Sequence, residues 1–167
     1  MKPVVSAILT LSKGRIKLAG TKLPFKASEK FIKANGEVSF YDFGRNFQSW
    51  FLPKEEKALG PTSLRGHKLL QNAKDSEIIR ELGGEEKAET TLVELYGMLK
   101  RQSRGQKGVL LINGWANIFY IRDVSGILRA VYVDWVGYGW FVLASALDDD
   151  SWCEGFQVFS RNYVKAA

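Results

Sequence analysis

Between residues 108 and 161 apolar and polar positions alternate in short runs, broken by polar or glycine-rich segments. The runs NIFYIR, ILRAVYVDW and GWFVLASA are separated by Asp123-Val124-Ser125-Gly126 and by Gly137-Tyr138-Gly139. Such turn chemistry joins consecutive antiparallel strands, so the pattern predicts a C-terminal meander of four to five strands. A four-residue loop from Asp123 to Gly126 places Arg122 opposite Ile127 and Ile118 opposite Val131. A loop from Val136 to Gly139 places Trp135 opposite Trp140 and Val133 opposite Val142.

One sheet face then collects Ile118, Val131, Val133, Trp135, Trp140, Val142 and Ala144, and is expected to lie under the helices. The reverse face collects Asn117, Phe119, Ile121, Leu128, Ala130, Tyr132, Asp134, Phe141, Leu143 and Ser145. Shifting either loop by one residue exchanges the faces locally, because side chains alternate with period two. At about 25 cal/mol per Å², leaving Phe119, Tyr132 and Phe141 in water forfeits several kcal/mol. A cover is therefore expected. The N-terminal strands are the first candidate, ahead of a second copy of the chain or a ligand.

The first half predicts two hairpins. Val4 to Leu11 and Arg15 to Ala19 flank Ser12-Lys13-Gly14, and Lys30 to Ala34 and Glu37 to Phe43 flank Asn35-Gly36. A rival reading of the second makes Ser28 the cap of a short helix ending before Gly36. Phe47, Trp50 and Phe51 fall at helical spacing and suit a short turn that plugs the core. Pro61-Thr62-Ser63 starts an expected helix to about Ala73, with Leu64, Leu69 and Leu70 as its apolar side. Asp75 or Ser76 caps a second, carrying Ile78, Ile79 and Leu82 and stopped by Gly83-Gly84. The third runs from about Glu86 to Gln102, with Leu92, Leu95, Tyr96 and Leu99 on one face. The expected fold class is α+β in a single domain over 1–167. It comprises N-terminal β hairpins within 1–52, a central run of about three helices within 62–103, and the meander within 108–162.

Composition fits a globular chain: 167 residues, 46% hydrophobic and 25% charged. Cys153 is the sole cysteine, which excludes an internal disulfide and points to a reducing, cytoplasmic setting. The opening MKPVVSAILTLSKGR lacks the cleavage chemistry of a secretory leader, and no apolar run approaches the roughly 18 residues of a membrane span. A soluble protein with an intact N-terminus is expected.

Charge is unevenly distributed. Residues 1–72 carry a net +8, residues 73–107 are neutral, and residues 108–167 carry −2, giving the total of +6. Lys13, Arg15, Lys17, Lys22, Lys26, Lys30 and Lys33 are opposed in that stretch only by Glu29. Such a cluster suits phosphates, although lysines on short strands also serve as a solvated face that discourages edge pairing. Candidate chemistry elsewhere is thin. His67 and Cys153 are each unique and form a nucleophilic pair only if they touch. Asp148-Asp149-Asp150 with Glu154 is the densest carboxylate group, but it lacks the spacing and glycine of a calcium loop. No metal or cofactor motif is present, and the expectation is no cofactor, no metal and no assigned catalytic residue.

The stretch ELGGEEKAETTLVELYGMLKRQ followed by LLINGWANIFYIRDVSGILRAV resembles a set of bacterial hypothetical proteins without assigned function, over about Leu64 to Asn162. The resemblance implies no activity. Three function classes follow from the residues. The first is a small non-enzymatic binding or interaction protein. Its sharper form contacts single-stranded nucleic acid through the basic N-terminal residues Lys13, Arg15 and Lys17 and the sheet residues Asn117, Phe119, Tyr132, Asp134 and Phe141. The second is a homo-oligomeric structural or adaptor protein with an aromatic sheet face as interface. The third is a small enzyme using Asp148, Asp149 and Asp150, or Cys153 with His67.

Overall fold

The computed structural model describes residues 7–10 and 14–161. The strands are Ile16–Leu18 (β1), Phe25–Lys26 (β2), Phe40–Phe43 (β3), Glu55–Glu56 (β4), Thr62–Lys68 (β5), Ala73–Lys74 (β6), Glu89–Thr90 (β7), Asn117–Arg122 (β8), Leu128–Trp135 (β9), Trp140–Ala146 (β10), Ser151–Trp152 (β11) and Gln157–Ser160 (β12). The helices are Ala27–Lys30 (α1), Arg45–Phe51 (α2), Asp75–Leu82 (α3), Glu85–Ala88 (α4) and Leu92–Arg101 (α5). One mixed eight-stranded sheet dominates, ordered β1-β5-β12-β8-β9-β10-β3, with β7 also pairing β8. Two small sheets, β11-β6 and β2-β4, complete it.

This architecture corrects the expected run of hairpins, helices and meander. Of the segment expected as a helix from Ser63 to Ala73, Ala73 begins β6 and the part to Lys68 belongs to β5, which pairs β1 on one side and β12 on the other. Its apolar residues never had helical spacing, and Gly66 is the reason the strand packs so closely. A Cβ there would come within 2.8 Å of the Phe159 ring. Pairing on both edges outweighs a weak local start signal. The long helix expected from Glu86 is also interrupted. Glu89 and Thr90 extend as β7 beside Tyr120 and Ile121. Thr91 then caps α5: its Oγ1 accepts the Glu94 amide at 3.2 Å, and Glu94 Oε1 accepts the Thr91 amide at 3.0 Å. That reciprocal box was written in the sequence as Thr-x-x-Glu, beneath a stronger periodic signal.

The second expected N-terminal hairpin does not form, and the turn of the first lies largely outside the described residues. Of the first, residues 1–6 and 11–13, Lys13 among them, lie outside the described residues, and the strand at Ile16–Leu18 pairs β5. In place of the second, residues 27–30 are helical and β3 runs parallel to β10. Asn35 still turns the chain, accepting the amides of Glu37 and Val38 at 2.8 and 2.9 Å. The rival short-helix reading was nearer, because Phe25, Ala27 and Phe31 all bury into the core.

The meander survives as the three strands β8, β9 and β10. Trp135 faces Trp140 and Val133 faces Val142, as the second loop predicts. The first loop holds five residues. The Asp123 amide donates to the Ile127 carbonyl at 2.8 Å, and Asp123 Oδ1 accepts the amides of Ser125 and Ile127. Arg122 therefore pairs with Leu128, and Ile118 with Tyr132. That one-residue shift exchanges faces along β8. Phe119 and Ile121 join Val131, Val133, Trp140 and Val142, whereas Ile118 joins the reverse core. β12 leaves the meander, pairing β8 in parallel and β5 antiparallel.

The helical cover expected on the Trp140 face is present in α5, but the N-terminal segment joins it there instead of covering the reverse face. The N-terminal segment, through Phe25, Phe31, Phe47 and Phe51, lies with α5 on the Trp140 face. The reverse face is covered by Ile78, Ile79 and Leu82 of α3, with Trp152 and Leu9. α2 and α3 stand where Phe47-Trp50-Phe51 and Ile78-Ile79-Leu82 predict, and Gly83, at φ 105°, closes α3. Among the described residues, no helix is long and apolar enough to cross a membrane.

Candidate functional site: a basic groove between β1 and α5

The N-terminal half delivers its charge to one place. β1 and the segment after it, α1, and the exposed side of α5 enclose a half-open groove of about 380 Å³. Its floor is apolar, formed by Leu18, Phe25, Val93 and Tyr96, each less than 9% exposed. Gly97 lets Leu18 of β1 pack closely on α5, since a Cβ there would stand 3.3 Å from the Leu18 side chain. The rim carries Lys17, Lys30, Lys100 and Arg101. Arg101 is oriented by a 3.1 Å hydrogen bond to the Lys17 carbonyl, and Lys30 Nζ lies 5.8 Å from the Tyr96 ring centroid.

Two acids adjoin the groove. Glu94 is enclosed, and its charge is met by Arg161. Glu37 lines the adjoining depression and stands between the rim cations Lys30 and Lys100, at 3.6 and 3.2 Å. Slight burial pushes the Glu37 carboxyl up, but Lys100 and Lys30 outweigh that and hold it below the ordinary carboxylate value. Burial, then the charge of Glu37, pushes the Tyr96 phenol well above its usual range. The floor is thus neutral and the rim cationic. A smaller depression beyond Glu37 adds Lys33 and Arg104.

The sequence-predicted site residues scatter. Lys17 lines the groove, and Arg15 is exposed near the start of β1. Asn117 has no accessible surface and works as a staple. Its Oδ1 accepts Leu111 N and Gln157 Nε2, and its Nδ2 donates to the carbonyls of Leu111 and Val133. Phe119 is enclosed, stacked on Phe159 at 5.0 Å, and has no face to offer a base. Tyr132 packs edge-on against Trp152 on the reverse face, where burial pushes its phenol up to about 12. Asp134 shares that face. Burial pushes its carboxyl up to about 6, and its Oδ1 has no hydrogen-bond partner.

Phe141 meets Tyr41, which meets Tyr138, in edge-to-face contacts of 5.4 and 5.3 Å. This aromatic group sits at the β3 end of the sheet, and Lys17 at the β1 end. Along the sheet five or six strand spacings separate them, but the N-terminal segment packs across both ends. The Phe31 ring lies 5.7 Å from both Phe40 of β3 and Tyr96 of the groove floor, and Lys33 pairs with Asp42 of β3 at 3.6 Å, so the β3 end borders the far part of the basic surface.

The enzyme candidates are engaged in structure. His67 is buried, with Nδ1 2.8 Å from the Thr10 carbonyl oxygen, whereas Cys153 is exposed. Asp148 Oδ1 accepts the Ser76 amide, and its own amide donates to Asp75. Among the described residues no His, Cys, Asp or Glu cluster is arranged to hold a metal ion. Sequence reasoning found the lysines but missed α5, whose Tyr96, Gly97, Lys100 and Arg101 build half the groove. Lys100-Arg101 at a helix end reads as macrodipole complement, and only packing against β1 turns it into a rim. No family model, curated protein or solved structure matches this chain.

Proposed function

We propose that the protein is a small binding module for phosphate-bearing polyanions, single-stranded nucleic acid foremost, and that the basic groove is its contact surface. The observation that carries this is the convergence of Lys17, Lys30, Lys100 and Arg101 around an apolar floor. Cations on a rim neutralise phosphates at little desolvation cost, and releasing the counterions of the nucleic acid supplies affinity. Lys33 and Arg104 continue the track past Glu37, which suits a chain better than a single small anion. This version needs no sheet aromatics.

The test is fluorescence anisotropy with labelled oligothymidylate across a salt series. Binding is expected to weaken with salt, at a log–log slope of about −0.7 per phosphate neutralised. Lys100→Gln and Arg101→Gln should each weaken binding and flatten that slope by roughly one contact. Absence of binding at low ionic strength, or variants with the wild-type slope, overturns the reading.

A second reading, self-association, is favoured by a different observation. β3 is an edge strand with Tyr41 and Tyr138 beside it, 38% and 72% exposed. Aromatics beside an open strand edge suit a self-complementary contact. Sedimentation that returns a monomer at high concentration removes this reading.

A further inference from the structure

Lys30 and Lys100 reach the groove from two different helices, and one carboxylate already stands between them. Glu37 Oε1 is 3.6 Å from Lys30 Nζ, and Oε2 is 3.2 Å from Lys100 Nζ. The Tyr96 hydroxyl donates to the same carboxylate at 3.3 Å. Three donors from α1 and α5 thus converge on one oxyanion, supplied by the chain itself. The backbone beneath is fixed: Asn35 Oδ1 accepts the Glu37 amide at 2.8 Å, and Asn35 Nδ2 donates to the Tyr96 hydroxyl oxygen at 2.9 Å. Glu37 also walls the second depression, so it stands where the two basic surfaces meet.

The two ion pairs do little for the fold. Their side chains are 41–52% exposed, and surface pairs of this kind add little stability. What the arrangement does is hold two ammonium groups at the separation an oxyanion requires.

We propose that Glu37 is a tethered counter-ion, occupying the groove's phosphate position in the free protein, and that a ligand must displace it to bind. This rests on the groove reading and deepens it, because displacement selects the ligand class. A tethered carboxylate competes at an effective concentration in the millimolar range. A free monoanion of equal affinity must exceed that concentration to displace it. A chain of phosphates does better, since Lys17, Arg101, Lys33 and Arg104 hold its other charges while one phosphate takes the Lys30–Lys100 position. The displaced carboxylate remains nearby and repels the bound chain, which costs roughly fivefold in affinity at water-like screening.

The experiment compares wild type, Glu37→Gln and the control Glu86→Gln, which removes an exposed acid from α4, outside the groove. Labelled oligothymidylate is titrated by anisotropy, with inorganic phosphate as competitor. Glu37→Gln should bind roughly fivefold tighter and become displaceable by phosphate at concentrations that leave the wild-type complex intact. Glu86→Gln should match wild type. Equal affinity of wild type and Glu37→Gln, or an equal gain from Glu86→Gln, overturns the tether and leaves the groove reading standing. Loss of binding in all three proteins overturns both.

Discussion

Arg161 closes a two-point ion pair on Glu94, with Nε 2.8 Å from Oε2 and Nη2 2.7 Å from Oε1. The carboxylate is 1% exposed and also accepts the Thr62 hydroxyl at 2.8 Å and the Thr91 amide at 3.0 Å. One side chain thus ties β5, the start of α5 and the end of β12 together beneath the groove. Glu94 is thereby neutralised by Arg161 and not by the rim cations. Arg161→Gln strands the carboxylate in the interior, and about 2 kcal/mol of stability should be lost, less than for a fully buried pair because Arg161 is half exposed. Urea denaturation checks this. The double variant with Glu94→Gln should recover part of the loss, since no charge is then stranded.

Asp75 holds the reverse core. It has no exposed surface and accepts the Tyr120 hydroxyl at 2.8 Å, the Trp152 indole at 2.6 Å and the Asp148 amide at 2.8 Å. Burial raises its carboxyl above the ordinary value, against the three donors. An asparagine that keeps its Oδ1 on Tyr120 and Trp152 turns an Nδ2 donor toward the Asp148 amide, donor against donor. Asp75→Asn should cost about 2–3 kcal/mol, read by chemical denaturation, together with a change in near-ultraviolet circular dichroism from Trp152. Wild-type stability in this variant would show that water replaces the missing acceptor.

Asp134 supplies a pH signature. Its carboxyl is raised by burial to about 6 in the folded chain, against the ordinary 3.8. A raised folded value means that the native state holds the proton longer than the unfolded chain. Stability from this group is therefore full below about pH 4 and lost as pH rises through about 6. Asp134→Asn should stabilise the protein at pH 7 by on the order of 1–2 kcal/mol, discounted for partial solvation, and by little at pH 4. Thermal melts at both pH values decide it, and an equal effect at both would exclude titration of Asp134 as the cause.

Gly66 reports on the close approach of β5 and β12. The Phe159 ring that a Cβ would press upon is itself enclosed and stacked on Phe119 with an interplanar angle of 13°. It has nowhere to retreat. Gly66→Ala should cost about 1–3 kcal/mol, despite the higher strand and helix propensity of alanine. A melting temperature equal to wild type would mean that the ring yields.

The sequence was most legible where a signal is local. Gly83 ends α3 because a left-handed residue is needed there, and Trp135 meets Trp140 because a short glycine-containing loop admits one register. Thr91 and Glu94 carried a capping signal that the periodicity of Leu92, Leu95, Tyr96 and Leu99 obscured. Asp123 shows the limit. Its side chain takes two loop amides and lengthens the turn by one residue, and so moves Phe119 from the expected binding face into the main core. Turn residues alone do not show that hydrogen-bond count.

What the sequence determined by itself was composition, the concentration of positive charge in the first 72 residues, the amphipathic segments at α2, α3 and α5, and the β9–β10 pairing. These depend on neighbours a few residues apart. The tertiary structure decided that residues 62–68 are a strand and that β12 returns parallel to β8. It also decided that the N-terminal segment covers the Trp140 face, and that Lys17, Lys30, Lys100 and Arg101 share one groove. Each of those rests on contacts between residues far apart in the chain. Their energies come from buried area and paired backbone groups, and so are set only when the partners meet.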